Sequence, residues 1–271
     1  MILYTDGIGG TLGAKLATLS PLYAGNVYYV HTTGSDSNAG TERQKPFATL
    51  AHAVTVASSS GGIIVVLAGH RELLAANASV HSGVSLIGEG EGSERPVFWS
   101  PDDVTTLTLN GANFVSNIAV DPAVDKTNVE NPSLPRIVST NAIDLDGVVL
   151  TMGDINGAVA MTVSGDSSSR QSLRNGSFIV LRTSTPLGFA ALSFSSSGTI
   201  AMDNVTIDGG EQGFSVPAIA RVANTDATAI QITNLSLLNG ADISLAPGGS
   251  GAPAVGFVHV SASSGAAKVI L

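Results

Sequence analysis

The sequence predicts an all-β chain: a parallel β-helix of about 27–30 residues per coil, with a short capping helix near its N-terminus. Three observations point there. An eight-residue pattern, apolar-x-apolar, a polar pair, apolar-x-apolar, occurs five times. It is seen at Asn113–Val120, Ile143–Leu150, Leu173–Val180, Ile200–Ile207 and Ile230–Leu237, at steps of 30, 30, 27 and 30 residues. Self-similarity at a fixed period marks a repeat architecture, and the period-two alternation makes each copy a strand bent at its polar pair. A second alternation keeps the same step: Val159-Met161-Val163, Ala190-Leu192-Phe194 and Ala218-Ala220-Val222. Third, a residue suited to positive φ stands at the bend of each copy: Asn117, Gly147, Gly176, Asn204 and Asn234. Asn amides stacked there can also bond to one another along the axis. A strand recurring every 30 or so residues can pair in parallel with its predecessor, and no coil leaves room for an amphipathic helix. A β-sandwich, which also shows short strands and regular turns, is the alternative fold.

The expected inward rows are Val115, Ile118 and Val120; Leu145, Val148 and Leu150; Phe178 and Val180; Met202, Val205 and Ile207; and Ile232, Leu235 and Leu237. Taken in order, residues 1–25 lie outside the repeat and form an arm. Its apolar residues, Ile2, Leu3, Tyr4, Leu12, Leu16, Leu19, Leu22 and Tyr23, mark it as an attachment segment that orders against a partner. The glycines at 7, 9, 10 and 13 do not make a nucleotide loop, because Leu12 stands where G-x-G-x-x-G requires its third glycine. Residues 26–60 read as a first strand, a tight polar loop and a helix starting at Pro46, with Phe47, Leu50, Ala51 and Val54 on one face. Such a helix can cover the open end of a stack of strands. Residues 61–245 hold the repeat, with a lateral excursion from Asp121 to Arg136. Residues 246–271 are a Gly/Pro turn and terminal strands, apolar to the last position and so expected to be buried within the chain or in an oligomer.

Composition excludes several classes. With 12 Lys+Arg against 21 Asp+Glu, net −9, no basic surface is available for a phosphate backbone, and nucleic acid is not an expected partner. No apolar run reaches the ~20 residues of a membrane span, so membrane insertion is not expected. The first residues lack the charged and apolar regions of a signal peptide. There is no cysteine, hence no disulfide and no thiolate metal site. Charged residues make up only 12%, about half the ordinary share, and mean hydropathy is +0.32. A thin-cored stack should need more polar cover than that, so part of its lateral surface is expected to lie against other subunits.

The stretch from Val27 to Ala57 carries the most specific signal: Val27-Tyr28-Tyr29-Val30, then Gly34-Ser35-Asp36-Ser37-Asn38-Ala39-Gly40-Thr41, then Lys45-Pro46-Phe47-Ala48-Thr49-Leu50. It resembles the N-terminal segment of the pectate-lyase-like right-handed parallel β-helix superfamily, closest in style to phage tailspike and virion β-helix proteins. The resemblance covers most of residues 27–240 and implies a right-handed, single-stranded β-helix. It specifies fold rather than activity.

Polysaccharide lyases of that superfamily use carboxylate-bound Ca²⁺ with an Arg or Lys base. Their apolar-Trp-x-Asp-His and Arg-x-Pro-x-x-Arg motifs have no counterpart; Arg95-Pro96-Val97-Phe98-Trp99 lacks the second Arg. The Asn-Thr-Asp, Asp-Asp, Gly-His-Gly, Arg-Ile-Lys series of polygalacturonase-like hydrolases is also missing. Asp102-Asp103 is the one adjacent acidic pair and reads as a solvated turn. A glycosidase needs two carboxylates about 5–10 Å apart. The spacing sets Asp144 and Asp146 against Arg174 and Gly176, and Asp203 and Asp208 against Thr233 and Leu238, so no acidic ladder forms. His31, His52, His70, His81 and His259 follow no metal-ligand spacing and read as surface or cap residues. No catalytic residue, metal or cofactor is therefore expected.

The resemblance then implies a structural component of a bacteriophage virion. This would be an exterior appendage, a capsid decoration or head fibre or a tail-associated spike, held by the N-terminal arm to other virion proteins. Related virion β-helices are homotrimers, and contact with a host surface glycan is the accompanying expectation. The alternative is a polysaccharide-degrading lyase or glycoside hydrolase of the same fold.

Overall fold

The computed structural model describes residues 26–58, 62–101, 104–120, 136–152, 161–165, 170–180, 192–196, 199–208, 219–222, 230–238, 243–244, 255–262 and 269–270. The attachment arm, the 121–135 excursion and Asp102-Asp103 lie outside them. The chain opens with β1 (Asn26–Val30) and α1 (Leu50–Ala57). Strands then follow in threes: β2 (Gly62–Val66), β3 (Arg71–Leu73), β4 (Ala78–Val80); β5 (Val84–Gly88), β6 (Val97–Trp99), β7 (Leu107–Leu109). Next come β8 (Asn113–Ser116), β9 (Ala119–Val120), β10 (Ile137–Ser139); β11 (Ile143–Asp146), β12 (Val149–Met152), β13 (Met161–Gly165). The fifth set is β14 (Arg170–Arg174), β15 (Ser177–Val180) and β16 (Leu192–Ser196). Thereafter one long strand serves two positions: β17 (Thr199–Asp208) with β18 (Ile219–Val222), β19 (Ile230–Leu238) with β20 (Ile243–Ser244), and β21 (Val255–Ala262) with β22 (Val269–Ile270).

Each set adds one strand to each of three parallel series. The first runs β1-β2-β5-β8-β11-β14 into the front half of β17, and the second β3-β6-β9-β12-β15 into its rear half. The third runs β4-β7-β10-β13-β16-β18-β20-β22. The chain is thus all-β, its sheets parallel, with α1 as the one α-helix among the described residues. The terminal strands continue the pattern: β21 pairs with β19, and Val269 with Ile243.

Alternation decides what fills the centre. Leu86 and Val115 from the first series meet Ile118 just after the bend, Val120 and Leu150 from the second series and Leu107, Ile137 and Met161 from the third in one core. Full burial of each such side chain contributes roughly 1.5–3 kcal/mol. The expected inward residues from Val115 to Leu235 are buried wherever their side chains are described. At Phe178, Val180 and Leu237 the backbone register alone is described.

Two expectations need correction. The spacing sets Leu173 opposite Ile143 and Ile200, but the structure pairs Gln171 with both and Leu173 with Leu145 and Met202. Phe178 consequently pairs with Leu150 and Ile207, and Asp144 and Asp146 face Ser172 and Arg174. A two-residue slip keeps every side chain on its own face, so apolar pattern cannot detect it. The bend decides instead, and the left-handed residue of this copy is Asn175 (φ 51), not Gly176.

The second correction concerns the helix, which begins at Leu50 rather than Pro46. Phe47 is held extended beside β1, its N–H donating to Tyr29 O (2.8 Å) and its carbonyl accepting from His31 N (2.9 Å). Asp36 Oδ1 takes the amides of Ala48 (2.9 Å) and Thr49 (3.0 Å), and Oδ2 takes the Thr49 hydroxyl. Thr49, extended at φ −126, is the N-cap and accepts from His52 N. Amides at a helix start that lack intrahelical partners are satisfied by such acceptors. The buried face is Leu50, Ala53, Val54 and Ala57, without Ala51, and it packs on β1, β2 and β4, covering the first end of the stack. Gly40 (φ 69) lies against the Phe47 ring, which leaves no room for a Cβ.

Candidate functional site

The bends form one line along the stack. Asn117, Asn175, Asn204 and Asn234 sit at φ between 51 and 54, and Gly147 at 69. Local hydrogen bonding by the side chain lets Asn tolerate this left-handed region. The amides also link neighbouring sets. Asn204 Nδ2 donates to Asn175 Oδ1, and Asn175 Nδ2 to Asp146 Oδ1, both at 2.8 Å. Asp146 thus accepts where Gly147, lacking a side chain, offers no amide. At the first end Asn117 Nδ2 donates to the carbonyls of Gly88 (3.0 Å) and Gly90 (2.7 Å), while its Oδ1 accepts from Arg95 Nε (3.1 Å). Four of the five bend residues expected from sequence hold that conformation; Asn175 replaces Gly176.

Immediately before the bend, the outward side of the first series carries two rows, fixed by the register. One reads Val27, Ile63, Ser85, Phe114, Asp144, Ser172, Ala201, Gln231. The other reads Tyr29, Val65, Ile87, Ser116, Asp146, Arg174, Asp203, Thr233. The first four members of each row are mostly apolar and the last four, Ala201 apart, polar. In the polar half, Arg170, Ser172, Arg174, Asp203, Gln231 and Thr233 line a shallow groove of about 250 Å³. Arg174 Nη2 donates to Asp144 Oδ2 at 2.8 Å, and both side chains are about two-fifths exposed. Across the strands acid, base and acid alternate at Asp146, Arg174 and Asp203. That is a charge ladder rather than a pair of carboxylates aimed at one point. Because a guanidinium has no acceptor lone pair, an engaged Arg174 holds Asp144 but is not placed to take a proton. Sequence spacing missed this row because the two-residue slip moved Arg174 from Asp144 to Asp146.

A second cluster was also invisible in the sequence. His70 is fully buried rather than a surface residue, its Nε2 2.9 Å from Glu72 Oε2. The same carboxylate oxygen accepts from Leu50 N at 2.8 Å, tying β3 to the start of α1. His31 lies 6.3 Å from His70 between ring centroids, and Phe98 5.4 Å on another side. Glu89, nearly buried, is held bidentately by Arg43. These pairs fasten the capping segment. Among the described residues no three metal-ligating side chains converge.

No family model and no curated protein matches the chain. Among solved structures it is similar to a rhamnogalacturonan lyase, at 11% identity, with 81% of this chain and 75% of that chain covered and a TM-score of 0.43.

Proposed function

We propose that the chain is a right-handed, single-stranded parallel β-helix serving as a structural component of a bacteriophage virion. It stands on the exterior as a capsid decoration, head fibre or tail-associated spike, held by its N-terminal arm to other virion proteins. The observation that carries a structural reading is the direction in which polar side chains are used. Asn204, Asn175 and Asp146 bond to one another along the stack, as do Arg174 and Asp144, tying successive strands together. The virion assignment itself rests on the resemblance of residues 27–57 to phage β-helix proteins. Antibody raised against the purified chain should decorate the outside of intact particles, and particles bearing a chain without residues 1–25 should lose that label. Absence of the chain from purified particles would end this reading.

A second reading, polysaccharide binding or cleavage, is favoured by the groove, where Arg170 and Arg174 stand beside Asp203. Incubation with pectate, alginate and capsular glycans separates the two readings. The structural role predicts neither reducing-end release nor unsaturated-uronate absorbance. Cleavage that is lost in Arg170→Gln or Asp203→Asn would establish the enzyme instead.

A further inference from the structure

The outward side of the first series changes character halfway along. In β11 and β17 outward residues are half-buried or exposed and inward ones buried, the pattern of a sheet with one wet face. In β2 and β5 all five residues are buried. Ile63, Val65, Leu67 and Ile87 form a cluster apart from the core, and Ile87 is 0% exposed. At the Leu67–Ile87 end of that cluster a segment of the capping region reaches over the strands. Gly40 O accepts from Tyr29 N (2.7 Å) and Phe47 N donates to Tyr29 O (2.8 Å), so residues 41–46 leave β1 and return to it at one residue. Between these anchors the chain turns on itself: Lys45 N donates to Glu42 O (3.0 Å), and Lys45 Nζ pairs with Glu42 Oε2 (3.5 Å). Arg43 stands at the tip of that turn, with Thr41 to Lys45 all exposed.

Glu89 comes two residues after Ile87 and so continues the same outward side. Its N–H donates to Val66 O (2.8 Å) and that of Leu67 to Val30 O (2.9 Å), which sets Leu67 between β1 and Glu89. From β1 to β5 is two strand spacings, about 10 Å. Arg43 bridges them and grips both carboxylate oxygens of Glu89, its side chain 45% exposed and that of Glu89 5%. We propose that residues 41–45 are a strap over the Leu67–Ile87 end of this apolar face, that the Arg43–Glu89 pair is its clasp, and that it opens without the strands parting. A two-pronged guanidinium–carboxylate contact is directional, so the strap has one closed position and is released when the fork disengages. Its ends are fixed. Gly40, at φ 69, turns the chain at one hinge, and at the other Pro46 O is held by Asn38 Nδ2 (2.8 Å) and Ser35 N (3.1 Å). Closed, the strap keeps Leu67 and Ile87 from other molecules; open, it bares an apolar face of the kind that partners use. This holds whether or not the chain belongs to a virion.

The chain has no cysteine, so a single introduced thiol reports on its own position. Maleimide labelling of Ile87→Cys should be slow, and about tenfold faster or more once Arg43→Ala is added, because the strap no longer closes. Val120→Cys, in the core, should stay slow in both backgrounds. Arg43→Lys should fall between, since an ammonium cannot engage both oxygens as a fork does. An Ile87→Cys rate indifferent to Arg43→Ala would show that the strap is not the cover. Acceleration only on deleting residues 1–25 would place the cover there, and equal acceleration of both thiols would mean that the strands part with the clasp. Each of these overturns the proposal. Should the Arg43 variants fail to fold, hydrogen exchange in the unaltered chain decides. The Lys45 amide, bonded within the strap, should be at least tenfold less protected than the Leu67 and Glu89 amides, bonded between strands. Equal protection would show that strap and strands open as one unit, and refutes it.

Discussion

Asn204 occupies left-handed backbone at φ 54 and donates its amide to Asn175. The two properties separate by substitution. Asn204→Ala loses the hydrogen bond and places a Cβ in a region that costs an ordinary residue about 1–2 kcal/mol. Asn204→Gly loses the same bond, worth about 1 kcal/mol net, but is at ease in that backbone. The glycine variant should therefore be the more stable of the two by roughly 1 kcal/mol, despite its greater freedom when unfolded. Urea midpoints at unchanged slope measure the difference. An alanine variant as stable as the glycine one would show that the bend stores no strain. Gly147, at the equivalent place with φ 69, already takes the second solution, with Asp146 receiving the Asn175 amide.

At the scale of the element, α1 is short, eight residues, and its stability comes from what holds its start. Asp36 accepts two backbone amides and the Thr49 hydroxyl there. Asp36→Ala should cost about 2 kcal/mol, the scale of hydrogen bonds to a charged acceptor. The damage should be local. Hydrogen exchange at the Ala53 amide, bonded to Thr49 O, should accelerate, while amides of β11 and β14 keep their protection. Equal acceleration at both places would mean that the cap and the strands open as one unit. These elements also show what the sequence could express. The strand series were legible because each bend carries Asn or Gly and each flank alternates, a signal local to one copy. The register of the copy at 171–178 was not, since a slip by two preserves the face of every residue. The groove inherited that ambiguity: only the true register sets Arg174 between Asp146 and Asp203. The helix start was misplaced for a related reason. Pro46 carries a local preference for a first helical turn, but the bonds of Phe47 to Tyr29 and His31 are long-range and override it. His70 and Glu72 meet the helix through the same kind of contact, between residues 20 or so apart in the chain, which leaves no periodic trace.

At the scale of the molecule, the question is what covers the surface of a chain with so little charge. Charged residues are 12% and hydrophobic residues 44% of the chain. Short polar groups along the bends and the Asp146-Arg174-Asp203 row cover part of the first series. The outward rows of the other two series carry few charges among their described residues: Arg71 and Leu73 in β3, Ser79 in β4, Thr108 in β7 and Val138 in β10. Leu73 is 54% exposed, the one large hydrophobic residue so open among the described residues. Apolar surface on a stable protein ordinarily lies in an interface, and closed rotational symmetry hides the same patch on every copy at once. The expected assembly is a homotrimer with its copies side by side, the second or third series facing the axis. Sedimentation equilibrium should give three chains per particle at micromolar concentration. Leu73→Asp should weaken that association while leaving the far-UV spectrum unchanged, because the side chain contributes nothing to the core. Deleting residues 1–25 should leave the trimer intact, since the interface expected here is made by the second or third series. A monomer at every concentration would refute the assembly, and a trimer indifferent to Leu73→Asp would move the interface away from β3.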